Sequence, residues 1–280
     1  MAGTKMTWAG APKIIDTKKA ILLGPWYVAE ARIRNMTKWL AAIISFGIGN
    51  PILLLLSVGL GVGALVDANS GPNAIDGVGY MTFLAPALLA GAAIQNAMDE
   101  TSFPTLEGFL WEKTFFAMNS TQLSALSIVN GIMIASTFRT VITVVIFEAV
   151  LLAFGAITWA SLLPLAVAAI LVGAAFAAAM LATASRVVND DGFFAIVGRF
   201  IIAPMMLFSG TYYPLSVLPL PLQAIGWISP LWHATQLGRV LSYGLAIPGW
   251  LVAVHVLYLV AMGVAGIWLA KSAFAKRLSL

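Results

Sequence analysis

Six stretches of this chain are almost uninterruptedly apolar: residues 41–66, 78–98, 125–154, 161–185, 193–209 and 248–270. Crossing roughly 30 Å of hydrocarbon takes about 20 apolar residues in a helix, so each stretch reads as a membrane span. The fifth is the shortest and holds Arg199 and Pro204, and the third is long enough to tilt or to project beyond the bilayer. Polar connections separate the spans. Residues 67–77 (DANSGPNAIDG) are turn-rich and acidic, and residues 155–160 form a tight link.

Between the fifth and sixth spans the pattern changes. Residues 206–244 are apolar enough for membrane depth, yet Pro214, Pro219, Pro221 and Pro230 prevent one straight helix. Broken backbone at that depth is tolerated only where protein buries it or it lines a cavity. The expectation is a pair of short helices over residues 210–244 that dips into the bilayer and returns.

Two further helices are predicted outside the spans. Trp26, Ala29, Ile33, Met36 and Leu40 recur at helical spacing beside Glu30, Arg34 and Lys38, which predicts an amphipathic helix lying along a membrane surface. In residues 99–124, Thr101 or Ser102 is placed to cap a short helix with Pro104 near its start. Phe103, Leu106, Leu110 and Trp111 give that helix an apolar side, and Glu100, Glu107 and Glu112 give it acid, which suits a docking element.

Composition agrees with the pattern. The 280 residues are 61% hydrophobic and 9% charged, far below the ~25% charged of soluble domains. Of the 15 lysines and arginines, all but Arg139 and Arg239 fall before the first span, after the last, or on the side that alternation assigns to them. The positive-inside rule therefore places both termini in the cytoplasm. The first forty residues lack the charged and apolar regions of a cleaved signal peptide.

The chain has no cysteine, which excludes disulfides and thiolate chemistry, and its two histidines, His233 and His255, are too far apart in sequence for a local ligand pair. No phosphate-binding loop and no hydrolase or metalloprotease motif occurs. Arg139 stands in mid-span, where ionisable residues are functional by default. It is expected to face the bundle interior with Ser136, Thr140 and Thr143, which share a helix face. Glu148, about half a turn away round the helix, is expected at the outer interface, meeting Arg239 or the end of another span. His255 is expected to hydrogen-bond between helices, and His233 to pack at the interface. Gly59 to Gly63 supplies a GxxxG step, and residues 168–184 are dense in small residues, so both suit close helix contact.

These features together resemble the ABC-2 type transporter permeases. The motif FSGTYYPLSVLPLPLQAIGWISPLWHATQLGR is similar to that family's pattern at Ser209-Gly210, Tyr213-Pro214-Leu215, Leu218-Pro219, Leu222-Gln223, Pro230-Leu231 and Arg239. YMTFLAPALLAGAAIQNAMDETSF resembles the subgroup of nodulation-factor (lipo-chitooligosaccharide) and daunorubicin exporter permeases, with Pro86-Ala87 where Pro-Gly is usual. The resemblance implies an all-α membrane protein. A cytoplasmic segment (1–40) with an interfacial helix precedes a six-span domain (41–270), and a short cytoplasmic tail (271–280) follows.

It further implies a subunit of an ATP-driven exporter in a bacterial plasma membrane, carrying a glycolipid, polysaccharide, lipid or drug. The permease itself is not an enzyme and binds no cofactor; ATP and Mg belong to separate ATPase subunits, and a second permease copy completes the assembly. Membrane lipids are partners and nucleic acid is not. The helix at about 101–113 looks like the element that couples to the ATPase, through Phe103, Glu107, Leu110, Trp111 and Lys113, with the loop of residues 186–192 a lesser inner contact. The translocation path is assigned to Arg139, Ser136, Thr140, Thr143, Tyr212, Tyr213 and Trp227, with residues 210–244 as an outer gate. The alternative class, a secondary transporter or channel driven by an ion gradient, needs mid-membrane acids, and Glu148 is the one candidate.

Overall fold

A computed structural model describes residues 17–279 apart from 72, 74 and 190, so Lys5 and Lys13 of the charge asymmetry lie outside the described residues. Apart from one isolated bridge between Ile75 and Val78, its regular elements are helical. Helix α1 (Thr17–Met36) passes through a 3-10 turn (Thr37–Trp39) into α2 (Leu40–Leu54), a π-wound stretch (Leu55–Val62) and α3 (Gly63–Ser70). The helix expected to lie apart from the first span is thus continuous with it, and Ile21–Asn69 forms one long apolar helix. The joint is at Trp39, whose φ of −109° and ψ of 10° leave the helical region.

Next come α4 (Tyr80–Thr101), α5 (Phe103–Leu110), α6 (Thr114–Asn119), α7 (Ala125–Ala153) and α8 (Leu162–Ala184). They are followed by α9 (Phe193–Val197), α10 (Ala203–Phe208), α11 (Leu220–Trp227), α12 (Pro230–Tyr243) and α13 (Gly249–Leu278). Five helical stretches are long and apolar enough to cross a membrane: Ile21–Asn69, Tyr80–Leu110, Ala125–Ala153, Trp159–Ala184 and Gly249–Leu278. The remaining expected span, residues 193–209, is the shorter apolar helix Phe193–Phe208. It is π-wound over Gly198–Ile202 just before Pro204, which cannot donate to the carbonyl four residues back.

At the centre, α4 and α8 pack against each other and against α7 and α12, and α13 lies along α8. α4 is largely buried, whereas most of α13 is exposed, as expected for a helix facing lipid or another chain. Small residues set the closest crossings. A Cβ at Gly266 would stand 2.6 Å from the Ala178 carbonyl carbon, so α13 and α8 touch backbone to backbone. At Gly131 it would meet Val28 Cβ at 2.5 Å, which is how α1 seats against α7. The small-residue run in α8 therefore does serve close contact, and Gly59 and Gly63 lie against Met81 and Tyr80.

The connection after α4 differs from the single helix expected at 101–113. α4 continues to Thr101, the chain kinks at Ser102 (φ −87°, ψ −92°), and α5 ends before a left-handed turn at Lys113 (φ 54°). Neither hydroxyl caps α5: Thr101 Oγ1 donates back to Ala97 O (2.6 Å) and Ser102 Oγ to Met98 O (2.7 Å). Each hydroxyl finds an acceptor one turn back on α4, adding a second bond to a carbonyl there; Met98 O already accepts from Ser102 N at 3.0 Å. α5 is instead held from beneath. Phe109 packs on Phe115 and Phe274 with ring centroids 4.9 and 4.8 Å away, and the Arg277 guanidinium lies 4.1 Å from the Phe109 ring centre.

Candidate functional site

A cleft of about 1040 Å³ opens between α1, α2, α4, α5 and α7. Its walls run along α2 from Ala42 to Pro51, along α4 from Ala92 to Glu100, and along α7 from Arg139 to Phe147. The Arg139 guanidinium forms an ion pair with the Glu100 carboxylate, whose side chain is 8% exposed. From α1, Arg32 Nη2 donates to the Glu100 carbonyl at 3.1 Å. One turn earlier on α4, Asn96 Nδ2 donates to Thr140 Oγ1 (2.9 Å), and Thr143 Oγ1 donates to Asn96 Oδ1 (3.3 Å). A polar seam thus ties α4 to α7 along one wall.

The expected path residues on α7 divide in two. Arg139 and Thr143 line the cleft, while Ser136 and Thr140 are buried behind it, Thr140 Oγ1 donating to Ser136 O at 2.9 Å. Glu100 was assigned to an acidic face of the inner helix and is instead buried beside Arg139. The cleft's charges balance: Arg32, Arg34, Lys38 and Arg139 face Asp99, Glu100, Glu107 and Glu112. Phe46, Ile43 and Phe147 add apolar surface to the same walls. Such a cleft accepts a molecule with a polar end and an apolar end, and it favours neither sign of charge.

The outer residues also rearrange the sequence expectations. Arg239 is buried and does not meet Glu148: its Nη2 donates to Gly210 O at 2.8 Å, and its guanidinium lies 3.7 Å from the centre of the Phe83 ring. Arg239 is held there because α12 packs on α4, while Glu148 stands on α7 with Oε1 lacking a hydrogen-bond partner among the described residues. Tyr212 accepts through its carbonyl from Tyr80 Oη (2.9 Å), and Tyr213 Oη donates to Leu207 O (2.7 Å). Neither tyrosine lines the cleft or the smaller pocket of about 300 Å³ that Trp227 lines with Arg239.

The two histidines, distant in sequence, stand Nδ1 to Nδ1 at 2.7 Å across α12 and α13. His233 Nε2 lies 3.0 Å from the Trp227 carbonyl, and an acceptor there requires Nε2 to carry the proton. His255 then donates from Nδ1. This is the helix-to-helix bond expected of His255, with a partner that sequence spacing concealed.

On the expected coupling element, Phe103, Glu107, Trp111 and Lys113 are exposed and Leu110 is half-buried, whereas Leu106 and Phe109 face the core. Phe103 also meets Phe194 edge-on, 5.0 Å between ring centroids, which links α5 to the connection after α8.

The model of the family described as ABC-2 type transporter matches residues 31–243. Nodulation protein J of Sinorhizobium fredii is 30% identical over 258 residues, covering 91% of this chain and 95% of that protein. Nodulation protein J of Rhizobium leguminosarum bv. viciae is 28% identical over 75% of this chain and 80% of its own length. The Rhizobium meliloti protein of that name is 28% identical over 75% and 79%. No solved structure matches the chain.

Proposed function

Because the chain belongs to the ABC-2 type transporter family, we propose that it is the membrane permease subunit of an ATP-driven exporter whose cargo is an amphiphile with a polar, largely uncharged headgroup. The observation that carries this is the cleft. Four bases face four acids across it, Asn96 and Thr143 line one wall with Thr140 bonded to Asn96 behind them, and Phe46 and Phe147 add apolar surface. The headgroup enters beside Arg139 and Glu100 while the apolar part lies against α2, whose outward face is rich in exposed large hydrophobics. Similarity to nodulation proteins favours a glycolipid of the lipo-oligosaccharide kind over a polysaccharide or a drug.

ATP is hydrolysed on separate subunits, which dock on the exposed side of α5 through Phe103, Glu107, Leu110, Trp111 and Lys113. The topology that goes with this has Phe193–Phe208 as a sixth span, both termini in the cytoplasm of a bacterial cell, and α11–α12 as a re-entrant outer gate. A second permease copy completes the path.

The test is reconstitution in lipid with a cognate ABC ATPase subunit. The permease is expected to stimulate ATP hydrolysis and lipo-oligosaccharide efflux, and joint charge reversal (Glu107→Lys with Lys113→Glu) to abolish both while leaving the permease folded. Undiminished stimulation by the reversed protein sinks the docking assignment. Uptake driven by a proton or sodium gradient without ATP sinks the exporter assignment.

A further inference from the structure

We propose that the outer pocket between the loop at Asp76 and α11–α12 is a binding site for a neutral sugar ring, which holds the headgroup of the cargo as it leaves; this rests on the exporter function proposed above. The pocket has a volume of about 300 Å³, at the small end of ligand clefts. Its lining includes Asp76, Gln223, Trp227, Trp232, Gln236 and Arg239. Charge selects the ligand first. Among these residues one acid stands against one base, so neither an anion nor a cation gains from the net charge.

Hydrogen-bonding capacity selects it next. Arg239 is 1% exposed, and although Nη2 is used on Gly210, its Nε is buried with no partner among the described residues. Trp232 Nε1 is a second buried donor without a partner there. Residues with acceptors line the same pocket. Asp76 uses Oδ2 for Tyr243 Oη (3.1 Å) and keeps Oδ1, and Gln223 spends Nε2 on Leu218 O (2.7 Å) and keeps Oε1. Gln236 makes no side-chain hydrogen bond to the described residues and brings both a donor and an acceptor.

Orphaned buried donors next to free acceptors are costly unless a ligand serves both, and a hydroxyl does so because it donates and accepts at once. The indole of Trp227, 46% exposed, adds a flat apolar face to the rim. A pyranose offers the matching surfaces, hydroxyls round its edge and C–H bonds across its face. A planar aromatic ligand fits the indole but leaves the Arg239, Asp76 and Gln236 groups unserved.

The experiment uses the full chain in lipid nanodiscs, without the ATPase, titrated calorimetrically with soluble β-1,4-linked tetrasaccharides of glucose and of N-acetylglucosamine. Saturable binding is expected, weakened at least tenfold by Trp227→Ala or Gln236→Ala and kept by Trp227→Phe and by Trp250→Ala, a change to an exposed indole in the first turn of α13 outside the pocket lining. Amide exchange over α11 and α12 checks that each variant is folded, and slowed exchange there on adding the parent protein's tetrasaccharide is a second expected sign. Absence of saturable binding, or binding that Trp227→Ala and Gln236→Ala leave unchanged, overturns the site. Lost sugar binding with ATPase stimulation intact removes only this site. Intact sugar binding without ATPase stimulation removes only the exporter assignment.

Discussion

Arg139 of α7 and Glu100 of α4 form an ion pair on the wall of the inner cleft, three residues ahead of the first residue of α5. The pair therefore joins the polar lining of the cleft to the element expected to meet the ATPase. Between Glu100 and the start of α5 stand only Thr101 and the kinked Ser102.

Breaking this pair is expected to cost stability because it strands a buried charge. Arg139→Ala should lower resistance to unfolding by about 3 kcal/mol, and the double variant with Glu100→Gln should recover most of that loss. Denaturation midpoints in mixed micelles check this. Equal midpoints for the single and double variants would show that the two groups do not interact.

The histidine pair fastens α12 to α13. His255→Leu removes its hydrogen bond and leaves His233 Nδ1 buried without a donor, at an expected cost of about 1–3 kcal/mol. Amide exchange should quicken along α12 and stay unchanged in α4. Uniform change across the bundle speaks against a local clasp.

Helix contacts should respond to glycine substitution according to the space at each site. Gly266→Leu forces a side chain into the α8 backbone and should destabilise by about 1–3 kcal/mol. At Gly198 nothing lies within 4 Å of an added Cβ and φ is −58°, so Gly198→Ala should be neutral or stabilising by up to about 1 kcal/mol. Paired unfolding curves give the comparison.

The aromatic clasp under α5 should be the most sensitive point of the inner face. Phe109→Ala opens a cavity among Phe115, Phe274 and Arg277 at an expected cost of about 3–5 kcal/mol. It should also uncouple ATP hydrolysis from efflux in the reconstituted system. Coupled efflux at the parent ratio would show that α5 transmits nothing through this contact.

Hydrophobic runs alone located the five long helices, because a helix surrounded by lipid or by other apolar helices is apolar on every side. They also located the interruptions at 206–244, since proline acts locally on its own backbone. The seam in the cleft was half legible. Arg139, Thr140 and Thr143 stand out within an apolar span, but Glu100 was read with the charged loop that follows it. Its helical spacing to Asn96 was the available signal: two polar residues one turn apart on a buried helix mark an inward face. The His233–His255 contact had no such signal, because a pairing between two helices depends on tertiary register that periodicity does not carry. The short helix at 193–208 has a local cause, since Pro204 and the wide turn before it divide the apolar run.

Helix α5 has two unlike attachments: the single-residue bend at Ser102 at one end, and the packed rings on Phe274 at the other. On the docking proposed above, α5 is expected to turn as a short lever about the phenylalanine contacts, so that a displacement of its exposed face reaches the last turn of α4, where Glu100 sits.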